Sequence, residues 1–192
     1  MKTKEHILST ALGLFNQKGT NAVTTNHIAE AAGISPGNLY YHFRNKDEII
    51  RALYAQLSAR NDVELQLPPN RLATIDDVQA LVRTNFTILR DYAFIYREFA
   101  ALMQADPELH KAYLAARARG YFGFRALIAV LAQAGITNLS DPAAVTRLAD
   151  ICWLITEFWL SSLEVSGQPV DEAGIERGVE LMLHVLRPYF AV

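Results

Sequence analysis

The sequence is poor in cysteine: Cys152 is the only one among 192 residues. A single cysteine excludes a disulfide within the chain, and its apolar neighbours predict a buried, inert thiol. The sequence also lacks a run of 18 apolar residues, so we expect no transmembrane helix. Its first residues open a helix and do not form a signal-peptide pattern. These absences predict a cytoplasmic protein that does not enter a membrane.

Sequence motifs for catalysis and cofactor binding are also missing. The chain has no phosphate-binding loop, no dinucleotide fingerprint and no zinc-ligand spacing among its five histidines, so neither a cofactor nor a metal is expected. Residues 33–37 do match the G-x-S-x-G pattern of hydrolase nucleophiles. That pattern requires a preceding strand and an N–H on the residue after the serine, whereas here a helix precedes it and Pro36 has no N–H. We therefore do not expect an enzyme.

Charge is divided unevenly along a chain whose net charge is −2. Residues 1–60 contain seven Lys and Arg against four Asp and Glu, whereas the remaining residues contain eleven against sixteen. The N-terminal part is therefore basic and the larger C-terminal part acidic. This contrast is modest, but it agrees with an N-terminal segment that meets phosphates.

Residues 24–49 carry the most informative pattern of the chain. Thr24 or Thr25 can accept a hydrogen bond from the first turn of a short helix, and the following apolar residues form one narrow stripe. Gly33 then suits a left-handed turn. Ser35 and Pro36 are typical of the N-cap and first position of a second helix. Two short helices joined by a tight turn are a helix-turn-helix, a shape that places one helix in the DNA major groove.

The second of these helices divides its residues between a core and an outer face. Leu39 and Phe43 are four residues apart and are predicted to point inward. Tyr40 is predicted to lie on the outer face but could instead be a core residue. His42 could instead be a solvated residue at the helix end. Lys46 opens the next helix after the cap Asn45, at a position where the helix dipole disfavours lysine. A phosphate partner would explain a lysine at that position.

These residues carry a family resemblance over about residues 5–55. The sequence resembles TetR-family transcriptional regulators at twelve positions that agree in order and spacing: Thr25, Ile28, Ala29, Ala32, Gly33, Ser35, Gly37, Leu39, Tyr40, His42, Phe43 and Lys46. The resemblance implies an all-α homodimer with a DNA-binding domain at residues 1–50 and a ligand-binding and dimerisation domain at residues 51–192. It places the DNA contacts on Thr25, Ser35, Gly37, Asn38, Tyr40, Tyr41, His42 and Lys46.

Helix signals continue through the C-terminal part, without the alternation that is typical of strands. We predict helices over residues 46–66, 74–90, 92–104, 106–134, 141–166 and 171–187. The helix over 141–166 is apolar nearly all round, which predicts cover on most sides. A second subunit could cover part of this helix, in an interface that also includes the last helix. Alternatively, both helices could belong to the core of one monomer. The candidate dimerisation residues are Cys152, Ile155, Trp159, Leu163, Val179, Met182, Leu183 and Leu186.

A ligand pocket is expected among the aromatic residues that follow residue 75. An apolar, aromatic lining suits a flat or elongated apolar ligand, and arginines such as Arg117 could pair with an acidic group. Gly120 and Gly123, inside a long helix, predict a close helix crossing or a kink beside a cavity. The candidate lining residues, each of which could instead be core, are Phe86, Tyr96, Phe99, Met103, Tyr113, Phe122, Trp153 and Phe158.

The sequence therefore predicts a DNA-binding transcriptional regulator. The resemblance favours a repressor that a small-molecule effector releases from a near-palindromic double-stranded DNA operator. A helical architectural or partner-binding protein without an effector response is the alternative.

Overall fold

A computed structural model describes residues 3–68 and 71–190, and these residues form α-helices without a β-strand. Thr137 and Phe190 form one isolated bridge, and a short 3-10 turn spans Arg187–Tyr189. The predicted all-α class is confirmed. The helices are α1 (Thr3–Lys18), α2 (Thr25–Ala31), α3 (Pro36–His42), α4 (Lys46–Glu64), α5 (Ile75–Asp91), α6 (Ala93–Arg97), α7 (Phe99–Ala105), α8 (Pro107–Gln133), α9 (Pro142–Val165) and α10 (Glu172–Leu186).

Side-chain caps fix the starts of the long helices where the sequence predicts them. Asn45 accepts a hydrogen bond from the backbone of the first turn of α4, and Thr74 and Asp77 form a reciprocal capping box at α5. Asp106 and Asp141 cap α8 and α9, each followed by a proline at the first helical position. The predicted helix starts at these caps are confirmed.

The predicted helix over residues 92–104 is wrong, because the chain breaks at Glu98 into α6 and α7. The break leaves carbonyl groups at the end of α6 without helical partners. The Ser161 hydroxyl on α9 donates to the carbonyls of Tyr96 at 2.8 Å and Arg97 at 3.3 Å, which satisfies them. The Glu98 side chain is itself engaged by a distant part of the chain and caps neither helix.

The first three helices form a small unit that leans on α4. Ile7, Phe15 and Ile28 are fully buried at its centre, and α4 covers them with Ile49 and Leu53. Three short helices alone would bury too little apolar surface for a stable core, so the continuation of α4 into the larger bundle supports them. Helix α4 is therefore part of both regions, since it also packs on α5 and α8.

The predicted dimerisation residues lie on α9 and α10 and differ in how deeply one chain buries them. Cys152, Leu163, Val179, Met182 and Leu186 are all buried within their own protomer, and Ile155, Trp159 and Leu183 are half-buried. The reason is that α9 and α10 turn their widest apolar stripes toward α5 and α6, against which they pack. The five buried side chains contribute to the interior of one chain, and the part that the eight residues play in dimerisation stays a prediction.

Close packing at Gly178 generates a stability prediction. A Cβ atom there would lie 2.6 Å from Nε1 of Trp159 and would also overlap the Phe86 ring. Gly178→Ala should therefore lower the free energy of unfolding by about 1–3 kcal/mol, because neither ring can move aside without disturbing the core. Gly13→Ala is the matched control: its Cβ meets nothing within 4 Å, and it should raise helix stability by up to about 1 kcal/mol. Urea denaturation of both variants tests this, and equal stabilisation by both would contradict it.

Candidate nucleic-acid interface and ligand cavity

Local hydrogen bonds build the helix-turn-helix of α2 and α3. The Thr24 hydroxyl accepts from the backbone N–H of His27 at 3.2 Å, and the Ser35 hydroxyl accepts from that of Asn38 at 3.2 Å. Between the helices, Gly33 has a φ of 65°, which is the left-handed conformation that glycine adopts most easily. The predicted caps and turn are confirmed, and they fix α3 against α2.

Helix α3 presents a polar and aromatic face to solvent. Leu39 and Phe43 are buried, whereas Tyr41 is 84% exposed and Tyr40 is 48% exposed. The Tyr40 hydroxyl hydrogen-bonds the Thr25 hydroxyl at 3.0 Å, so Tyr40 is not a core residue. The remaining predicted contact residues of this region share the face: Ser35, Gly37 and Asn38 are exposed, and His42 is half-buried with its ring edge-on to Tyr41. Hydroxyl, amide and imidazole groups at least partly open to solvent thus lie close together on α3.

Lys46 has a protein partner that the sequence did not indicate. Its ammonium group donates to the backbone carbonyl of Thr20 at 2.6 Å. This bond accounts for a lysine in the first turn of α4, so the position alone does not require a phosphate. Two N–H groups remain on the ammonium, and contact of Lys46 with DNA stays a prediction.

Thr20 also binds the larger helical bundle. Its backbone N–H donates to Oε1 of Glu98 at 2.8 Å, and its hydroxyl donates to Oε2 at 2.5 Å. Gly19 adopts a φ of 76°, and a Cβ there would lie 2.9 Å from the same carboxylate, so only glycine fits beside it. We call Thr20, Glu98 and Lys46 the polar junction, since they join the loop after α1, the α6–α7 break and the start of α4.

Asn16 strengthens the same contact one turn earlier in α1. Its side chain donates to the carbonyl of Asp91 at 2.8 Å and accepts from the backbone of Phe94 at 3.0 Å, so it spans the corner between α5 and α6. Arg97 donates to the Asn16 carbonyl at 2.8 Å and pairs with Glu164 on α9. The end of α1 is therefore bonded to α5 and α6, and Arg97 extends this contact to α9.

The bundle encloses a cavity of about 730 Å³, a size that suits a drug-like ligand. Four of the predicted ligand residues line it: Tyr96, Phe99, Tyr113 and Trp153. The other four do not. Phe86 and Met103 are buried in packing contacts, while Phe122 is 79% exposed and Phe158 is 42% exposed on the outer faces of α8 and α9. Aromatic composition finds the right helices, but it does not tell which side of each helix faces the cavity.

Both helical glycines of α8 line this cavity. A Cβ on Gly120 would lie 2.6 Å from the Trp153 ring, so this glycine leaves room for the ring beside the cavity, while the predicted close crossing or kink of α8 stays a prediction. A Cβ on Gly123 would meet nothing within 4 Å.

A charged cluster inside the cavity was missed by the sequence reasoning. Glu157 on α9 is only 7% exposed, and its Oε1 accepts from the Tyr113 hydroxyl at 2.5 Å and from Arg117 at 2.6 Å. Burial, together with the Glu157 carboxylate, raises the pKa of the Tyr113 phenol. An acidic residue within the apolar stretch of α9 was the available signal, since such a residue is rarely buried without a partner.

Within residues 3–68 and 71–190, no helix is long and apolar enough to cross a membrane, and no cluster of His, Cys, Asp or Glu could hold a metal.

Burial of Cys152 generates a prediction of low thiol reactivity. Desolvation raises the pKa of its thiol to about 12, so the reactive thiolate is scarce below that pH. At pH 8 the folded protein should react with Ellman's reagent far more slowly than the same protein in urea, where the thiol regains an ordinary pKa. Equal rates in the two conditions would contradict the buried placement.

Comparison with known proteins matches the whole described fold. Residues 7–53 match the family described as "Bacterial regulatory proteins, tetR family", and residues 46–192 match the family described as "Bacterial transcriptional repressor". A solved structure of a TetR-family transcriptional regulator from Marinobacter aquaeolei has a TM-score of 0.89 and 33% identity, covering 100% of this chain and 92% of that one.

Of two curated relatives, one matches over a shorter segment and the other at a lower identity. The HTH-type transcriptional regulator AcrR of Shigella flexneri is 39% identical over 66 residues, which cover 34% of this chain and 30% of that relative. The class C tetracycline repressor of Escherichia coli is 28% identical over 150 residues, covering 76% of this chain and 66% of that relative. The chain therefore spans less than a third of the first relative.

Proposed function

This chain belongs to the TetR family of bacterial regulatory proteins, and we propose that it is a cytoplasmic transcriptional repressor that binds a near-palindromic DNA operator as a homodimer. A small-molecule effector that enters the bundle cavity releases it from DNA. The proposal assigns residues 1–50 to DNA binding and residues 51–192 to effector binding and dimerisation.

The observation that carries the proposal is the outer face of α3. Tyr41 is 84% exposed, and Gly37 and Asn38 beside it on α3 are exposed as well, so this side of the helix is open to a partner. In a helix-turn-helix the second helix enters the major groove, where Asn38 can read base edges and the Tyr41 hydroxyl can reach a phosphate. The basic excess of residues 1–60 agrees with this placement.

A second subunit would supply the other half of the operator contact. Ile151, Leu154 and Phe158 form an exposed apolar stripe on α9, and Leu181 continues it on α10. Pairing these stripes between two chains removes them from water and sets the two α3 helices in successive major grooves. That arrangement requires a spacing of about 34–36 Å between the recognition helices.

The polar junction can couple ligand binding in the cavity to the position of α3. Phe99 lines the cavity with its ring 5.0 Å from that of Tyr113, and it directly follows Glu98. A ligand that displaces Phe99 also displaces the carboxylate that holds Thr20, and Thr20 holds Lys46 at the base of α4. To release DNA, the effector must bind the displaced state more tightly than the operator-binding state, by a few kcal/mol.

Selection from a random duplex pool tests the DNA-binding role. The purified protein should enrich a near-palindrome. Tyr41→Phe should weaken binding about tenfold on every sequence, since it removes one hydrogen bond to a charged phosphate. Asn38→Ala should instead lower the discrimination at one base position by about 1–3 kcal/mol. A folded protein that enriches no sequence would contradict the proposal.

Sedimentation of surface variants tests the dimer. Leu154→Glu should convert the dimer to a monomer, because it places a charge in the middle of the apolar stripe. Val63→Glu is the matched control, since Val63 is 75% exposed on α4, away from that stripe. The control should remain dimeric. If the Leu154→Glu variant remains a dimer, the interface does not include this stripe.

A further inference from the structure

The charged side chains that line the cavity balance one another. Among the residues that the structure describes, these are Asp62, Arg117, Arg119 and Glu157, two acids and two bases. They form two pairs, since Arg117 lies 2.6 Å from Glu157 and Arg119 lies 3.4 Å from Asp62. We call Arg117 and Glu157 the inner pair. The described lining therefore has no net charge that would attract a ligand ion.

The inner pair is held in place by further contacts. Glu157 is only 7% exposed, and its Oε1 also accepts from the Tyr113 hydroxyl, which in turn accepts from Arg117 at 2.8 Å. The Arg117 guanidinium lies 5.4 Å from the ring centroid of Tyr121 and 5.9 Å from that of Trp153. A ligand ion that took one member of the pair as its partner would leave the other charge buried and unpaired, which is strongly unfavourable.

The other titratable side chains of the described lining are uncharged at neutral pH. Burial raises the pKa of the Tyr54 phenol and that of the Cys152 thiol, each to about 12. Burial also raises the pKa of Tyr96 and Tyr113 above the ordinary value of a phenol. Beyond the two ion pairs, a charged ligand group would therefore meet only neutral polar groups and apolar side chains.

The second pair, Asp62 and Arg119, has little influence on the interior. Both side chains are more than half exposed, and Arg119 also donates to the Ser58 hydroxyl at 3.0 Å. Water and salt screen charges that are exposed to this extent. The inner pair therefore decides which ligand charge the interior accepts.

The cavity is elongated along α8. Its lining residues on this helix run from Tyr113 to Leu131, about 27 Å along the helix axis, whereas a sphere of about 730 Å³ would be only about 11 Å across. Between these ends the wall is mainly aliphatic and aromatic, with Phe124, Leu127 and Ile128 on α8. This shape suits a rod-like apolar molecule.

We infer that the effector of this protein is an elongated apolar molecule that carries no charge at neutral pH. This inference rests on the proposed effector function of the cavity. An ion that enters the cavity loses its hydration, and neither Arg117 nor Glu157 is free to replace it. An uncharged molecule gains from contact with the apolar wall and leaves the inner pair intact. The pairing of Arg117 with Glu157 is thus the feature that rejects ligand ions of either sign, so Arg117 does not serve an acidic ligand group.

Three rod-shaped probes with head groups of similar size test the inference: 4-(hydroxymethyl)stilbene, 4-(aminomethyl)stilbene and stilbene-4-carboxylate. Fluorescence titration of the full chain at pH 7 should show the hydroxymethyl probe binding about tenfold or more tightly than either charged probe. The reason is that only the charged head groups lose hydration without gaining a free partner of opposite charge.

Variants of the inner pair should change this order in opposite directions. Glu157→Gln leaves Arg117 unpaired and should strengthen binding of the carboxylate probe about tenfold, whereas Arg117→Met leaves Glu157 without its cation and should strengthen binding of the ammonium probe. The double variant removes both charges and should again prefer the hydroxymethyl probe. Glu108→Gln and Arg125→Met, which change exposed charges on α8 outside the lining, are the matched controls and should keep the original order.

The inference is overturned if either charged probe binds the unaltered protein as tightly as the hydroxymethyl probe does. It is also overturned if a protein that circular dichroism shows to be folded binds none of the three, or if folded single variants keep the original order. Should a single variant fail to fold, the order of the three probes on the unaltered protein decides. Operator affinity is measured separately with and without the hydroxymethyl probe. If that probe binds with the expected selectivity but the operator affinity is unchanged, the ligand class stands and the proposed effector function fails.

Discussion

The three bonds of Thr20 are the constraint on which the rest of the structure depends. Its N–H and hydroxyl hold Glu98 of the bundle, and its carbonyl holds Lys46 at the base of α4. The helix-turn-helix unit is too small to be stable by itself, so it needs a fixed attachment as well as apolar contact. Hydrogen bonds supply that attachment with a defined geometry, whereas an apolar contact alone would allow the unit to slide.

The polar junction lies next to the cavity. The chain breaks between α6 and α7 at Glu98, whose side chain binds Thr20. This break brings Phe99 to the cavity wall, against Tyr113. A ligand in the cavity would therefore contact Phe99, which directly follows Glu98, the residue that binds Thr20 of the helix-turn-helix unit. Coupling between the two regions needs no long chain of intermediates.

The sequence predicts local structure well and long-range structure poorly. Caps such as Ser35 and Asp106 act within a few residues, so their positions follow from the sequence, as does the turn at Gly33. The break at Glu98 and its bond to Thr20 could not be predicted, because residues 78 positions apart in the chain meet there. The inward face of α9 could not be predicted either. That helix is apolar on several sides, and periodicity does not tell which side meets its own core and which meets solvent.

We propose that the polar junction positions α3 for DNA binding, although it lies outside that helix. The most direct measurement is the affinity of Glu98→Gln for the duplex that the protein enriches from a random pool. Glu98 lies in the bundle, outside the predicted contact surface. Glu98→Gln should weaken operator binding about tenfold, because loss of a charged hydrogen-bond acceptor loosens Thr20 and Lys46. An unchanged affinity in a folded, dimeric variant would show that the polar junction does not position α3.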